Sequence, residues 1–448
     1  MRNLLYLFLL SPLAFISQTS NLILNDHWYQ DSLITTADGE SIFNEVWGLK
    51  YNDENYAVIG STMGTHILKI VNKKFIEIDF IEGRYAGYQA IHRDYHDFNG
   101  YLYAVCGENL SSLQIMDLSY LPDSVHLVYD SDSLIIRAHN IFIDTSKAKL
   151  YVCDVDSYQG SNALNVYDLT SPTFPNLLYN YNAVTTVHDA YVYNDTAFLN
   201  CGVEGLKVIK SSSSNIPIQI GELSTYLQKG YNHSGWLNID KSSYVMCDEN
   251  LGLDVKVLDV SDLDEIKVNA FFSSEMGDDE SSIPHNVIVR NNIAYLSYYH
   301  DGLQVFDISD PNQPKKLAYY DTYLPNPNVA WAGAWGVYPF ENNEFILVSD
   351  RKYGLFLLSF EPPPEISDNP FFIFPNPATA YIYFYKEHIG TANYLLNVYN
   401  SLGELIDQLN GNSDYYKINL SKYRTGIYIL EYISNFDLPS IKTKFFVK

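Results

Sequence analysis

The chain has 448 residues, of which 47% are hydrophobic and 15% aromatic, enough for a sizeable core and for two or three domains. Its formal net charge of −25 lies almost entirely in residues 1–370. So acidic a surface repels nucleic acid and anionic membranes, and it attracts cations or basic partners.

The N-terminus has the pattern of a secretory signal. Met1 and Arg2 precede an apolar run at residues 4–16, and small and polar residues follow at 17–20. Thirteen apolar residues are too few to span a bilayer, and no later segment reaches the roughly 18 that a span needs. We therefore predict a signal peptide at residues 1–19, an exported mature chain and no transmembrane segment.

A pattern of short strands and tight turns returns seven times between residues 20 and 361, at intervals of 45 to 52 residues. The sixth copy is the clearest, with strands at 285–289, 293–297, 303–308 and 315–321. Four short strands repeated at this period are typical of a β-propeller, in which each repeat forms one blade. The residues that open the copies are Trp47, His92, His139, His188, His233, His285 and Trp335.

The seventh copy lacks its fourth strand, because the chain runs into Pro362–Pro364 and proline cannot donate to a ladder. Residues 21–28 have the pattern of the missing strand. We predict that this N-terminal strand completes the last blade, which gives a seven-bladed β-propeller over residues 20–361 and a Pro-rich linker at 362–370. Closure would also remove an exposed sheet edge.

The four cysteines follow the repeat. Cys106, Cys153, Cys201 and Cys247 lie 13 or 14 residues after the histidines that open their copies. Equivalent positions on adjacent blades lie beyond the reach of a disulfide. We predict buried core residues, with a disulfide pair or a thiol metal site as alternatives.

Residues 371–448 show a different pattern, with seven short strands that predict a small β-sandwich. Pro375-Asn-Pro377, Leu402-Gly-Glu404, Gly426-Ile-Tyr428 and the final Lys444-Phe-Phe-Val-Lys448 resemble the C-terminal sorting domain of the type IX secretion system of Bacteroidota. The resemblance implies export by the type IX secretion machinery, followed by attachment to the cell surface or release. An ordinary accessory sandwich is the alternative.

The repeats themselves also resemble a known family. Residues 302–311, 113–119 and 164–172 are similar to LVIVD repeats, and their arrangement with His139, His188 and His233 is similar to the choice-of-anchor B family. That family carries different surface anchors on a common body, and the resemblance implies no particular reaction. The sequence departs from the pattern where the first and last copies carry tryptophan instead of histidine.

Blade geometry places the opening histidine and the turn after the second strand on the same face of the disc. Neutral imidazole suits zinc or another transition metal, and clustered carboxylates suit calcium. A divalent cation is therefore one hypothesis, whereas structural His–acid pairs within each blade, with no cofactor required, or direct ligand or catalytic use are the others. The candidate metal-site residues are His92, His139, His188, His233, His285, Glu108, Asp154, Glu204, Glu249 and Asp301.

Four tryptophans, Trp47, Trp236, Trp331 and Trp335, are candidates for stacking on a sugar or peptide at the channel mouth, with a core role as the alternative. The sequence contains no His-Glu-x-x-His, Gly-x-Ser-x-Gly or phosphate-binding glycine loop. We therefore predict a non-catalytic, secreted or cell-surface protein that binds a surface protein or glycan. The alternative is a metal-dependent surface hydrolase that uses the ring of histidines and acids.

Overall fold

The structure is a computed structural model that describes residues 19–211, 216–276, 281–323, 331–341, 344–360, 371–374, 378, 380–386, 394–412, 415–434 and 440–448. The predicted signal peptide, except its last residue, and the predicted linker at 362–370 lie outside the described residues. Apart from two short 3-10 helices, Leu118–Tyr120 and Leu263–Glu265, the regular elements described are all strands. The predicted all-β class is confirmed. None of the helices in the described part has the length and apolar character needed to cross a membrane.

The strands between residues 19 and 360 form four-stranded antiparallel sheets, one of which has a short fifth strand. In chain order the strands are β1 Thr19–Ser20, β2 Leu22–Trp28, β3 Phe43–Tyr51, β4 Glu54–Ser61, β5 Gly64–Val71, β6 Lys74–Glu82, β7 Arg93–Phe98, β8 Tyr101–Cys106, β9 Leu113–Asp117, β10 His126–Ser131, β11 Arg137–Asp144, β12 Lys149–Ser157, β13 Gly160–Asp168, β14 Asn176–Tyr181, β15 Asp189–Tyr193, β16 Thr196–Asn200, β17 Leu206–Ser211, β18 Pro217–Leu223, β19 Asn232–Leu237, β20 Ser243–Asp248, β21 Val255–Asp259, β22 Lys267–Phe272, β23 Asn286–Arg290, β24 Ile293–Ser297, β25 Leu303–Asp307, β26 Lys315–Tyr320, β27 Ala334–Pro339, β28 Ile346–Asp350 and β29 Gly354–Phe360.

We number the sheets 1 to 7 in the chain order of their innermost strands, which are β3, β7, β11, β15, β19, β23 and β27. Each sheet runs outward from this strand through the next ones in sequence. Burial decreases in the same direction. Every residue of β20, the second strand of sheet 5, is buried, whereas four of the six residues of β10, the outermost strand of sheet 2, are exposed. Adjacent sheets share apolar cores, as where Val245 and Val257 of sheet 5 pack with Val287 and Leu296 of sheet 6.

The innermost strands contact one another in a closed ring, since β3 contacts both β7 and β27. The outermost strand of sheet 7 comes from the N-terminal end, because β2 pairs antiparallel with β29 from Leu22↔Phe360 to Trp28↔Leu355. Asp26 on β2 also pairs with Lys74 of sheet 1 at 2.8 Å. Residues far apart in sequence thus join the two ends of the row of sheets.

The cysteines lie where the repeat predicts them. All four, Cys106, Cys153, Cys201 and Cys247, are free and buried. The prediction of buried core residues is therefore confirmed, and the disulfide alternative is wrong.

The C-terminal strands form two further sheets that share one core. Ile382 and Phe384 of the first sheet pack against Leu396 and Leu430 of the second. The first sheet also contacts sheet 6, where Lys417 Nζ lies 2.6 Å from Asp307 Oδ2. The strands are β30 Phe371–Phe374, β31 Tyr381–Lys386, β32 Tyr394–Asn400, β33 Leu405–Gly411, β34 Tyr415–Asn419, β35 Gly426–Ser434 and β36 Ile441–Val447.

Deleting residues 22–28 should lower the free energy of unfolding by more than about 5 kcal/mol, because the edge of β29 and the apolar side chains under β2 become exposed. The control is a deletion of Thr19–Ser20 alone, which removes only the two-residue β1 from sheet 6. Thermal unfolding checks both variants. Equal midpoints for the two deletions would show that β2 does not hold the ring closed.

Candidate functional site

The innermost strands surround a channel, and one opening of it holds a cavity of about 360 Å³, which we call the mouth cavity. Its lining includes residues at or just before the start of these strands, such as His92 before β7 and His285 before β23. Because each strand enters the channel at the same end, side chains from sheets distant in sequence meet there.

Five imidazoles and one indole form a closed circle around the mouth cavity, which we call the histidine ring. Each member packs on the next with ring centroids 3.8 to 5.3 Å apart. In order the members are His92, His139, His188, His233, His285 and Trp335, which contacts His92 again.

Three of these histidines are held by hydrogen bonds to the next sheet. Nδ1 of His188 donates to the carbonyl of His233 at 3.2 Å, and Nδ1 of His233 donates to the carbonyl of His285 at 3.1 Å. Nδ1 of His285 donates to the carbonyl of Trp335 at 2.5 Å. Because a carbonyl only accepts, Nδ1 carries the proton, and the neutral ring presents Nε2 as an acceptor.

Burial keeps four of the ring histidines neutral. Desolvation holds the pKa of His139, His233 and His285 well below the ordinary value, and neighbouring imidazoles lower it further. Desolvation likewise lowers the pKa of His188 to about 3. At neutral pH these four side chains therefore offer uncharged nitrogen donors.

Glu249 faces the histidine ring at His233 and His285. Its carboxylate lies 3.6 Å from Nε2 of His233 and 3.8 Å from Nε2 of His285, and it accepts a hydrogen bond from the Tyr299 hydroxyl at 2.5 Å. Desolvation raises the pKa of Glu249 to about 7. Two imidazole nitrogens and a carboxylate oxygen thus lie within 4.8 Å of one another, a spacing that suits a metal ion.

A second layer of carboxyls lies deeper in the channel. Glu45 accepts from the backbone N–H of Val46 at 3.0 Å and from Asn286 Nδ2 at 2.9 Å. Asp94 and Asp189 each accept from a backbone N–H at 2.6 Å. Desolvation raises all three pKa values, to about 8 for Glu45, to about 7 for Asp189 and well above the ordinary value for Asp94. The channel interior is thus acidic in composition and largely uncharged.

The opposite opening encloses about 720 Å³ and is lined by a circle of six aromatic residues and one arginine, with one residue from each sheet. Trp47 packs on His96 at 4.5 Å and on Tyr338 at 4.9 Å, and the Arg290 guanidinium lies between the rings of Trp236 and Tyr338. This opening joins the mouth cavity through the carboxyl layer. The members are Trp47, His96, Phe142, Tyr191, Trp236, Arg290 and Tyr338.

The sequence grouped four tryptophans at one mouth, and the structure divides them. Trp331 and Trp335 line the mouth cavity, whereas Trp47 and Trp236 line the opposite opening. The predicted level of Trp47 was wrong, because Trp47 lies beside His96, 49 residues further on, rather than at the level of His92, 45 residues further on. Four residues along a strand correspond to about 13 Å along the channel.

The acids predicted for the metal site lie in different places. Only Glu249 joins the five histidines on the mouth cavity. Asp154 is exposed, Glu204 accepts a hydrogen bond from the Thr185 N–H at 2.6 Å, and Asp301 accepts from the Ser274 and Ser282 hydroxyls. The structure does not bring these three acids to the cavity, since Asp154 lies within β12 with its side chain exposed and the other two bond to groups outside the cavity lining.

The expectation of a His–acid pair within each repeat needs a correction as well. Among the described ring histidines, hydrogen-bond contact with an acid of the same sheet occurs for His92, whose Nδ1 contacts Glu108 Oε1. Glu108 is also fixed by the backbone N–H groups of Ile91 and His92, both at 3.0 Å. The next three histidines after His139 bond between sheets, because backbone carbonyls of the neighbouring strand lie closer than the acids.

Sequence reasoning missed the carboxyl layer, Tyr299 and Arg351. A signal for the layer exists, because Asp94, Asn140, Asp189 and Asn286 each follow a ring histidine by one or two residues. Arg351 lines the mouth cavity from the turn after β28, and its guanidinium lies 5.3 Å from the Trp335 ring. The other copies have no arginine at the equivalent position, so the repeat pattern gave no signal for Arg351.

Residues 372–448 match the family described as the secretion system C-terminal sorting domain. The match confirms the resemblance found in the sequence, and it shows that the type IX secretion machinery handles the chain. The protein is therefore exported to a secreted or cell-surface location. No curated protein matches the chain in sequence.

Solved structures share the fold of the larger N-terminal region. The β-propeller domain of Cps50 (Swd1) from Myceliophteria thermophila has a TM-score of 0.53 at 8% identity and covers 76% of this chain and 99% of that one. A putative 6-phosphogluconolactonase from Bacteroides fragilis has a TM-score of 0.51 at 10% identity, covering 86% and 99%. The periplasmic gluconolactonase of Pseudomonas aeruginosa has a TM-score of 0.51 at 10% identity, covering 84% and 99%. Identities this low show the fold alone, and the chain is an exported protein with a β-propeller fold.

Glu45→Gln should flatten the pH dependence of stability. The unfolded chain ionises this carboxyl near its ordinary pKa of 4.5, whereas the folded protein retains the proton up to a pKa of about 8. The free energy of unfolding should therefore fall as the pH rises through this window, by up to about 1.4 kcal/mol per pH unit. Denaturant unfolding at several pH values measures the slope.

The matched control is Glu82→Gln, which removes an exposed carboxylate at the end of β6. Its profile should run parallel to that of the wild type. A Glu45→Gln profile as steep as that of the control would show that Glu45 ionises in the folded channel as it does in the unfolded chain.

Proposed function

We propose that sheets 1 to 7 are the blades of a seven-bladed propeller of the choice-of-anchor B type and that the C-terminal strands form a β-sandwich. The closed ring of inner strand contacts and the pairing of β2 with β29 support the blade count. The two C-terminal sheets with a common core support the sandwich. Strands such as β9 and β25, Leu-Gln-Ile-Met-Asp and Leu-Gln-Val-Phe-Asp, support the LVIVD assignment.

In this proposal the protein is a surface or secreted binding protein without catalysis, and the mouth cavity is its ligand site. The observation that carries it is the cavity itself, whose volume of about 360 Å³ falls in the range of ligand pockets. Trp331 is 38% exposed at its rim and supplies an aromatic face. The ligand is a protruding group of a surface protein or glycan, which polar imidazoles and aromatic faces both suit.

The chemistry of the lining favours binding over covalent catalysis. Among the described residues that line the mouth cavity, no serine, threonine or cysteine lies beside a ring imidazole to act as a nucleophile. The four cysteines are buried, and desolvation raises the pKa of each thiol, which keeps them protonated.

A metal-dependent hydrolase is the second candidate, favoured by the approach of His233, His285 and Glu249. The test is incubation of the full chain with a panel of esters, amides and lactones, with and without a chelator. Lactones belong in the panel because two structural neighbours are described as lactonases. Turnover that the chelator abolishes would favour the hydrolase, and a saturable partner without turnover would favour the binding protein.

Trp331→Ala should weaken binding of a ligand selected from glycan and peptide arrays by at least about tenfold, because it removes the exposed aromatic face at the rim of the mouth cavity. Its stability should change little. The control is Trp236→Ala at the opposite opening. Titration of the selected ligand into both folded variants measures the effect. Loss of affinity in Trp236→Ala alone would move the ligand site to the other end of the channel.

Removing residues 371–448 should leave the folded propeller in the periplasm, because the match to the sorting domain covers this region. The propeller should stay folded but lose some stability, since Asp307 loses the Lys417 ion pair while keeping its hydrogen bonds from Ser309, and the core under sheets 6 and 7 loses the buried ring of Tyr383. Cell fractionation of a host with type IX secretion measures the location. The same residues fused to an exported reporter should carry it to the surface, and surface display of the truncated chain at the normal level would contradict the assignment.

A further inference from the structure

Three side chains in the mouth cavity face one another without a hydrogen bond between them. Nε2 of His233 and Nε2 of His285 lie 3.6 and 3.8 Å from the carboxylate of Glu249, and the three donor atoms lie within 4.8 Å of one another. His233 is 4% exposed and His285 is 2% exposed. In the part of the chain that the structure describes, neither Nε2 has a hydrogen-bond partner. Two imidazole nitrogens and a carboxylate that face one another across a cavity are a set of donors that a cation can bridge.

We propose that His233 Nε2, His285 Nε2 and the Glu249 carboxylate form a site for a transition-metal ion of the zinc type. The site lies in the cavity assigned above to the ligand, so its role in binding rests on the proposed function, whereas metal binding itself does not. Two imidazoles and one carboxylate are a donor set that zinc accepts, whereas calcium prefers six to eight oxygens.

The spacing fits a tetrahedral ion. Donor atoms about 2.0 to 2.1 Å from such an ion lie about 3.3 to 3.4 Å from one another. His233 Nε2 lies 3.6 Å from Glu249 Oε2, and His285 Nε2 lies 3.8 Å from Glu249 Oε1, each a few tenths of an ångström above this value. One nitrogen of each imidazole and one carboxylate oxygen lie within 4.8 Å of one another, so binding an ion would shorten the longest of these separations by up to about 1.4 Å.

The surroundings hold each donor in the orientation that metal binding needs. The His285 carbonyl, which accepts from His233 Nδ1, also accepts from Ser234 Oγ at 2.7 Å. The Trp335 carbonyl accepts from both His285 Nδ1 and Ser297 Oγ, the latter at 2.6 Å. Carbonyls that fix Nδ1–H in this way orient a metal-bound histidine and raise its basicity.

Glu249 is fixed in the same manner by the Tyr299 hydroxyl at 2.5 Å. The glutamate comes from the turn after β20 and the tyrosine from the turn after β24, so the site joins sheets 5 and 6. Three protein donors leave a fourth position that opens on the mouth cavity. A ligand held there would coordinate the ion directly and lie near Trp331 at the rim.

The experiment uses the full chain, stripped of metal with a chelator and then titrated with Zn²⁺ by calorimetry and with Co²⁺ by absorption. We expect one equivalent of either ion per chain and the intense visible bands of a four-coordinate Co²⁺. His285→Gln and Glu249→Gln should each lower zinc affinity by at least about 100-fold, since loss of a supporting contact alone costs 10- to 100-fold. The matched control is His139→Gln, a member of the histidine ring outside the triangle, which should leave affinity within about threefold.

Absence of stoichiometric zinc binding by the wild type overturns the proposal, and so does an equal loss of affinity in the His139→Gln control. If the two site variants fail to fold, the Co²⁺ spectrum of the wild type decides, because a six-coordinate spectrum excludes the triangle. A wild-type chain that binds a ligand in a Trp331-dependent way but binds no stoichiometric zinc would refute the metal site and leave the proposed function intact. Zinc binding without any effect of Trp331→Ala on the ligand would do the reverse.

Discussion

Closure of the row of sheets is the constraint on which the rest of the structure depends. A sheet of this kind has two apolar faces, so each must pack between two neighbours, and only a closed ring supplies both neighbours to every sheet. Sheets 7 and 1 meet through β27 and β3, and β2 covers the edge of β29. The N-terminal strand β2 therefore stabilises the sheet that ends the ring, and it couples the folding of residues more than 300 positions apart.

The same closure creates the site. Seven inner strands enter the channel at one end, so equivalent residues of the seven sheets lie at the same height along it. The channel walls shield the polar side chains at that height from water. Buried polar groups must then bond to one another. The imidazoles of His188, His233 and His285 satisfy this need by donating to the next sheet, which orients every Nε2 towards the cavity. Ring stability and the chemical character of the mouth have one cause.

The sequence predicted what the repeat period controls. The all-β class, the four-stranded units, the buried cysteines and the recurrence of histidine at one opening all follow from spacing. It failed where a local irregularity decides the outcome. Trp47 corresponds to His96 rather than to His92 and lies at the other opening, and Asp154, Glu204 and Asp301 lie outside the lining of the mouth cavity. The repeat period predicts the average height of a residue along the channel. Irregularities in the length of a copy or in the shape of a turn change that height, and a single sequence does not show where they occur.

The departures from symmetry matter more for function than the symmetry does. Seven equal copies would give a uniform circle, in which no point of the channel differs from another. Here sheet 1 contributes no member to the histidine ring, sheet 7 contributes an indole, and one acid, Glu249, reaches the ring between two imidazoles. These differences concentrate donor atoms at sheets 5 and 6, next to the Trp335 indole. A scaffold built by repetition thereby acquires one distinct position, and a binding site requires such a position.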